Sequence, residues 1–214
     1  MKEHITDDRG QVGIGTLIVF IALVLVAAIA AGVLINTAGF LQTQAEQTGE
    51  DSSSQVANNI NVIGEVGQVN ANSNGINLTQ LTVQRSPGSD DVDLSELSIQ
   101  YVGDNGFANY IYNGTAGSGD NGYFVTAITA SSEGDAVMTE DSDRYQILIP
   151  FDDDMTAGID DVNGDTTALV NDISEDLSTG EEAELEITTA DRATRNAFIQ
   201  VPDTIEDGTT SVTL

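Results

Sequence analysis

The sequence predicts an α+β chain: one long, hydrophobic N-terminal helix followed by an antiparallel β-sandwich or short barrel. Three observations predict this. Gln11 to Ile35, QVGIGTLIVFIALVLVAAIAAGVLI, carries no charge, and the uncharged region runs on through Ala45 to the first acid, Glu46. The whole chain holds 35 acids and 6 bases, so a gap of that length is not accidental. From Ile76 onward the apolar period changes to two, in short runs bounded by Gly, Asn, Asp and Pro.

Composition narrows the function classes. Of 214 residues, the first third holds the apolar run, which leaves about 150 for one globular domain, enough for a core. There is no Cys, hence no disulfide framework, thiol nucleophile or Cys-based metal site. The single His is His4, near the N-terminus, so a His-dependent active site is excluded. No Gly-rich phosphate loop follows a strand. Net charge is −29, which argues against a nucleic-acid partner, because that partner needs a basic footprint. Self-repulsion on this scale weakens a compact state at low salt. At 1 M salt the Debye length shrinks to ~3 Å, which screens most of it. The strand runs keep ordinary apolar patterning, so the acidity points to a salt-bathed, halophilic protein rather than to disorder.

Residues 1–10, MKEHITDDRG, are short, polar and mixed in charge, and end in Arg9-Gly10. A secretory signal is cut after its apolar segment, at small residues. Here the small pairs Ala27-Ala28 and Ala30-Ala31 lie inside a run that stays apolar to Ile35. Two readings follow: an uncut signal anchor, or a leader cut before the run. As a helix, the 25 residues reach ~37 Å, against a bilayer core of ~30 Å. Small residues (Gly13, Gly15, Ala22, Ala27, Ala28, Gly32) would let helix backbones approach closely. A helix apolar all round is buried, in lipid or in protein.

The block Arg9-Gly10 followed by Gln11-Val12-Gly13-Ile14-Gly15-Thr16-Leu17-Ile18-Val19-Phe20-Ile21-Ala22 resembles the N-terminus of archaeal flagellins, the archaellins. The resemblance is carried by about 35 residues. It implies a leader over 1–10, recognised through Arg9 and Gly13 and cut between Gly10 and Gln11 by a membrane-bound aspartic prepilin-type peptidase. The related type IV pilins generally carry Glu at the fifth mature position; here it is Gly15, which favours the flagellin type. Further partners implied are copies of the chain itself or paralogous archaellins, an assembly ATPase with its membrane platform, and the membrane before assembly. No catalytic activity and no required cofactor are implied. The helix core would be packed by Ile14, Leu17, Ile18, Phe20, Ile21, Leu25, Ile29, Leu34, Phe40 and Leu41. The alternatives are a pilin-like adhesion subunit and a membrane-anchored β-domain that binds a ligand.

After Asn36 the pattern turns amphipathic, with Val56, Ile60 and Ile63 at i, i+4, i+7. The helix is therefore expected over 11–67, with a hinge at 68–75 where Gly and Asn accumulate and the outer domain at 76–214. Strand-like runs cover Ile76–Arg85, Leu94–Val102, Phe107–Asn113, Tyr123–Ala130, Arg144–Phe151, Ala183–Ala190, Asn196–Pro202 and Ser211–Leu214. The resemblance implies an immunoglobulin-like outer domain, which agrees with the run count and spacing. Asp152 to Glu182 reads as an exposed acidic loop.

Two N-x-[ST] sequons start at Asn77 and Asn113. The resemblance implies N-linked glycans. Asn77 lies inside a strand run, so its side chain must face outward to carry one, and Asn113-Gly114 equally reads as a hairpin turn. Asp161, Asn163, Asp165 and Asp172 echo a Ca²⁺ or Mg²⁺ loop, but Thr166 stands where that loop wants Gly and Asp172 where it wants Glu. An acidic turn without metal is the default.

Overall fold

The computed structural model describes the backbone of residues 4–70, 75–113, 121–131, 134–151, 176–206 and 208–214, with side chains from residue 12 onward. The chain divides into two compact units, Met1–Glu50 and Asp51–Leu214. The described residues of the first, 4–50, are all helix. The helix, α1, spans His4–Ala57, so its last turns belong to the second unit. At 1.5 Å per residue, its 54 residues run to about 80 Å.

The expected helix over 11–67 is too long at its C-terminal end. α1 stops at Ala57, and Ile60–Val69 is a strand, β1. Val56, Ile60 and Ile63 are not one helical stripe: Val56 is exposed and Ile60 buried. A short apolar run fits either period, and INVIGEVGQV is rich in β-branched residues, with two glycines that weaken a helix. The break falls at Asn58-Asn59. Asn58 still donates its N–H to the Ser54 carbonyl, and Asn59 turns back on the Ala57 carbonyl. Of the expected hinge at 68–75, Gln68 and Val69 belong to β1 and residues 71–74 lie outside the described residues. Val69 pairs with Ile76, and the Asn70 N–H donates to the Gly75 carbonyl.

The remaining strands are β2 Ile76–Arg85, β3 Val92–Asp93, β4 Ser98–Gly103, β5 Gly106–Tyr112, β6 Asn121–Thr129, β7 Val137–Met138, β8 Arg144–Pro150, β9 Glu182–Thr188, β10 Thr194–Gln200 and β11 Ser211–Thr213. A 3₁₀ turn, Leu94–Glu96, precedes β4 and is capped by the Asp93 side chain. Nine strands form one sheet in the order β10-β9-β4-β5-β6-β8-β2-β1-β11, and β3 pairs with β7. Every neighbouring pair is antiparallel except β5 with β6, where Tyr110 faces Asn121 in parallel. Parallel strands cannot be joined by a two-residue hairpin, so the hairpin reading of Asn113-Gly114 does not hold.

Both halves of the sheet contribute to one core. Leu81, Val83, Val125, Ile147 and Ile149 come from one half, and Ile99, Tyr101, Tyr110, Leu185 and Ile199 from the other. All five tyrosines are buried. Three hydroxyls reach backbone carbonyls: Tyr110 to Pro150 (3.0 Å), Tyr123 to Leu94 (2.8 Å) and Tyr145 to Val137 (3.2 Å). Each such bond brings a phenol indoors without an orphan donor. The Tyr101 and Phe151 rings meet at 5.4 Å between centroids.

Candidate assembly surface

Between Val12 and Ile35 the helix has no polar face to turn toward water. Seventeen large apolar side chains between Val12 and Leu41 stay 51–74 % exposed. They include all ten expected core-packing residues: Ile14, Leu17, Ile18, Phe20, Ile21, Leu25, Ile29, Leu34, Phe40 and Leu41. Fully burying a side chain of this kind is worth ~1.5–3 kcal/mol, so what remains exposed leaves on the order of tens of kcal/mol to be gained. The helix is long and apolar enough to cross a membrane.

Its few polar groups are turned inward on the helix itself. The Thr16 hydroxyl donates to the Gly13 carbonyl, Thr37 to Val33, and Thr43 to Gly39. Back-bonding of this kind hides a hydroxyl from an apolar surrounding. Nothing approaches within 4 Å of where a Cβ would sit at Gly13, Gly15, Gly32 or Gly39, so these positions are open notches. Close helix–helix approach is what such notches allow. The Arg9-Gly10-Gln11 backbone is helical.

The other expected sites divide. Asn77, on β2, is 7 % exposed and Asn113, just after β5, is 3 % exposed. The outward orientation that Asn77 requires is therefore not met: on β2, four consecutive residues, Ile76 to Thr79, are buried on both faces. Glycosylation of either side chain in this fold would require it to leave the interior. Asp161, Asn163, Asp165 and Asp172 lie outside the described residues. Among the described residues no group of three metal-binding side chains occurs.

Two polar sites carry no recognisable sequence signal. Asn58 is buried and ties three segments together: its Nδ2 donates to Asp191 (2.8 Å), its Oδ1 accepts from the Asp90 N–H (2.9 Å), and its carbonyl accepts from Thr189 Oγ1 (3.3 Å). Gln55, one turn earlier, donates to the Arg192 carbonyl. The end of α1 is thereby fixed to the β9–β10 turn. Asp143, before β8, is also buried and accepts from the N–H groups of Ser131, Thr139 and Glu140 and from the Ser131 hydroxyl. Burial alone would raise its pKa, but these four donors outweigh it and hold the carboxyl below its ordinary value. Both residues gather donors far apart in sequence, which no local pattern announces.

Comparison with known proteins places this arrangement. Residues 10–213 match the sequence family described as archaeal-type flagellin. The chain is 39% identical over 211 residues to flagellin B2 of Halobacterium salinarum, covering 97% of each. It is 42% identical over 218 residues to flagellin A2 of Haloferax volcanii, covering 94% of each. The fold is similar to that in the archaeal flagellum of Methanospirillum hungatei, at 15% identity and a TM-score of 0.62, over 94% of this chain and 99% of that one. A crystal structure of an archaeal flagellin from Methanocaldococcus jannaschii matches at 14% identity and a TM-score of 0.53, over 73% and 96%.

Proposed function

Because this chain belongs to the archaeal-type flagellin family, we infer that its uncovered helix is the part buried among identical helices when the subunit enters a filament. The chain is a structural subunit of the archaeal flagellum, extracellular and non-catalytic. The family match favours this reading over a pilin-like adhesion subunit. The two sequence relatives, from Halobacterium and Haloferax, come from halophiles, which fits the acidic composition.

The observation that carries the role of the helix is its all-round apolar exposure. In water, burying seventeen such side chains is the largest free-energy gain open to the chain. Two environments provide it in turn. Lipid holds the precursor, and neighbouring helices replace lipid in the filament. Since lipid is as apolar as Leu, hydrophobicity does not favour the second over the first; close packing at the open glycines does. A prepilin-type peptidase cuts after Gly10 and leaves Gln11 as the mature end. An ATPase and membrane platform then drive the transfer. The wide outer sheet, with most of the acids, faces the salt medium.

The test is the intact mass and N-terminal sequence of the subunit in filaments sheared from cells. The expected product lacks residues 1–10 and begins at Gln11. Filaments built from chains that keep Met1 would overturn the cleavage step. The same spectra read Asn77 and Asn113: glycan on either would show that modification precedes burial.

A further inference from the structure

We propose that a second copy of the chain docks head to tail through the outer domain: the β9–β10 turn of one copy, with Arg192 and Arg195, sits in the groove over β4, β9 and β10 of the next. This rests on the filament reading and adds a second contact, outside the helical core.

The groove is a shallow depression of ≈ 570 Å³ lined by apolar Val102 and Phe198 and by acidic Asp104, Glu182 and Glu184. Register explains the pattern. Phe107, Val102, Glu184 and Phe198 oppose one another in turn across β5, β4, β9 and β10, so they share one row on the outer face. Phe198 is 68 % exposed and Phe107 56 %, the two largest apolar exposures in the β strands. Two of these carboxylates are held in place. Asn196 donates to Glu184 Oε1 (2.7 Å) and Gln200 to Glu182 Oε1 (2.9 Å). Among the described residues nothing donates to either Oε2, so each presents a positioned, open oxygen.

The occupant is chosen by charge. The chain has six bases: Lys2, Arg9, Arg85, Arg144, Arg192 and Arg195. The first two fall in the leader. Arg85 is engaged with Asp91 and Asp141, and Arg144 with the carbonyls of Asp141 and Asp143. Arg192 and Arg195 are exposed, and among the described residues neither guanidinium has a partner. In a polymer of strongly acidic subunits these are the cations left to meet a neighbour. Arg192 also has φ 66°, in a turn closed by its N–H to the Thr189 carbonyl (2.9 Å). That is a left-handed conformation in which glycine is the usual residue.

Strand alternation separates Arg195 from the groove acids of its own chain: it pairs with buried Ile187, whereas Glu184 and Glu182 pair with Phe198 and Gln200 on the other face, three and five residues further along, or ~10 and ~17 Å. A contact between different ends of one surface is heterologous; it does not close as a two-fold dimer, and where its rotation does not close a ring it propagates into an open helix. In concentrated salt only charges at contact distance still attract, which suits Arg, whose planar fork pairs with carboxylates directly. The apolar lining is insensitive to screening.

The chain lacks cysteine, so introduced thiols report cleanly. Arg195→Cys combined with Glu184→Cys, expressed as the full chain in cells, is expected to give filaments whose subunits link under oxidant into a ladder of dimers, trimers and longer species. Glu140→Cys with Glu206→Cys, both outside the proposed contact, is expected to give none. Filaments from the first pair without a ladder would overturn the proposal while leaving the filament reading intact. Should that pair yield no filaments, the charge exchange decides: Arg192→Glu/Arg195→Glu and Glu182→Arg/Glu184→Arg should each lose filaments, and all four together should restore them. Normal filaments from either reversal alone, or no restoration in the exchange, would overturn it. Absence of filaments from the unaltered chain would instead sink the filament reading.

Discussion

Asp143→Asn isolates the contribution of one buried carboxylate to the outer domain. The substitution keeps shape and replaces one acceptor oxygen by a donor. Oδ2 accepts from Thr139 N–H (3.0 Å), Glu140 N–H (2.9 Å) and the Ser131 hydroxyl (3.2 Å), whereas Oδ1 accepts only from Ser131 N–H (3.0 Å). The amide oxygen will therefore take the Oδ2 position, and its NH₂ will face the Ser131 N–H, donor against donor. One charge-assisted bond is lost, at ~1.5–3 kcal/mol. Ser131 is itself exposed, so water can reach the orphaned amide and the lower part of that range applies, about 2 kcal/mol. For a domain of this size that is a fall in Tm of about 4–8 °C. Full-length subunits held in detergent, heated and followed by near-UV circular dichroism, report it, because all five tyrosines are buried and there is no Trp. The pH dependence gives an independent check. The folded carboxyl titrates below its ordinary 3.8, so its stabilisation is present above that value and lost as pH falls through the lower folded value. Unaltered protein should therefore lose stability in that acid window and Asp143→Asn should lose less of it. A Tm shift under about 1 °C, or unchanged acid behaviour, would refute the reasoning.

Three further outcomes follow from the same structure. Asn58→Ala removes two side-chain bonds at the end of α1 and should lower stability by about 2 kcal/mol, read by the same melt; no change would show that Asp90 and Asp191 do not need it. The Tyr101 hydroxyl is buried and, among the described residues, without a hydrogen-bond partner, and burial, with the charges of Glu181 and Asp104, pushes its pKa up to about 12. Because the folded pKa exceeds the ordinary 10.0, stability should be lost as pH rises between the two; spectrophotometric titration should show this transition, and Tyr101→Phe should remove its share and match or exceed the parent in stability. A methyl group at Gly103 would overlap the Tyr101 ring and hydroxyl, so Gly103→Ala should destabilise by ~1–3 kcal/mol, and Gly103→Ala melting like the parent would show that the ring can give way.

Legibility in the sequence followed the length and purity of each pattern. The apolar helix was legible because a run of 25 uncharged, mostly apolar residues stands out in a chain with 35 acids. β2 falls on the expected Ile76–Arg85, and the other seven runs are recovered within a few residues, because alternation there is bounded by turn residues. β1 was lost to the helix because apolar spacing in INVIGEVGQV satisfies both periods, and its fate is set by pairing with β2 and β11, which are distant choices. β3 and β7, two residues each, are too short to carry a period. The parallel β5–β6 pair is likewise a matter of topology. The burial of Asn77 was not legible, because alternation assumes one wet side and this end of β2 has none. The ten helix positions were readable as apolar, but their uncovered state belongs to the fold of the isolated chain.

The central claim is that the mature helix needs lipid or copies of itself. Sedimentation of subunits released from filaments, in concentrated salt and without detergent, with Gln11–Ile35 confirmed intact by mass, tests it most directly. The account predicts aggregates or regrown filaments, and monomers only when detergent is added. A soluble, detergent-free monomer that retains the intact helix would contradict it.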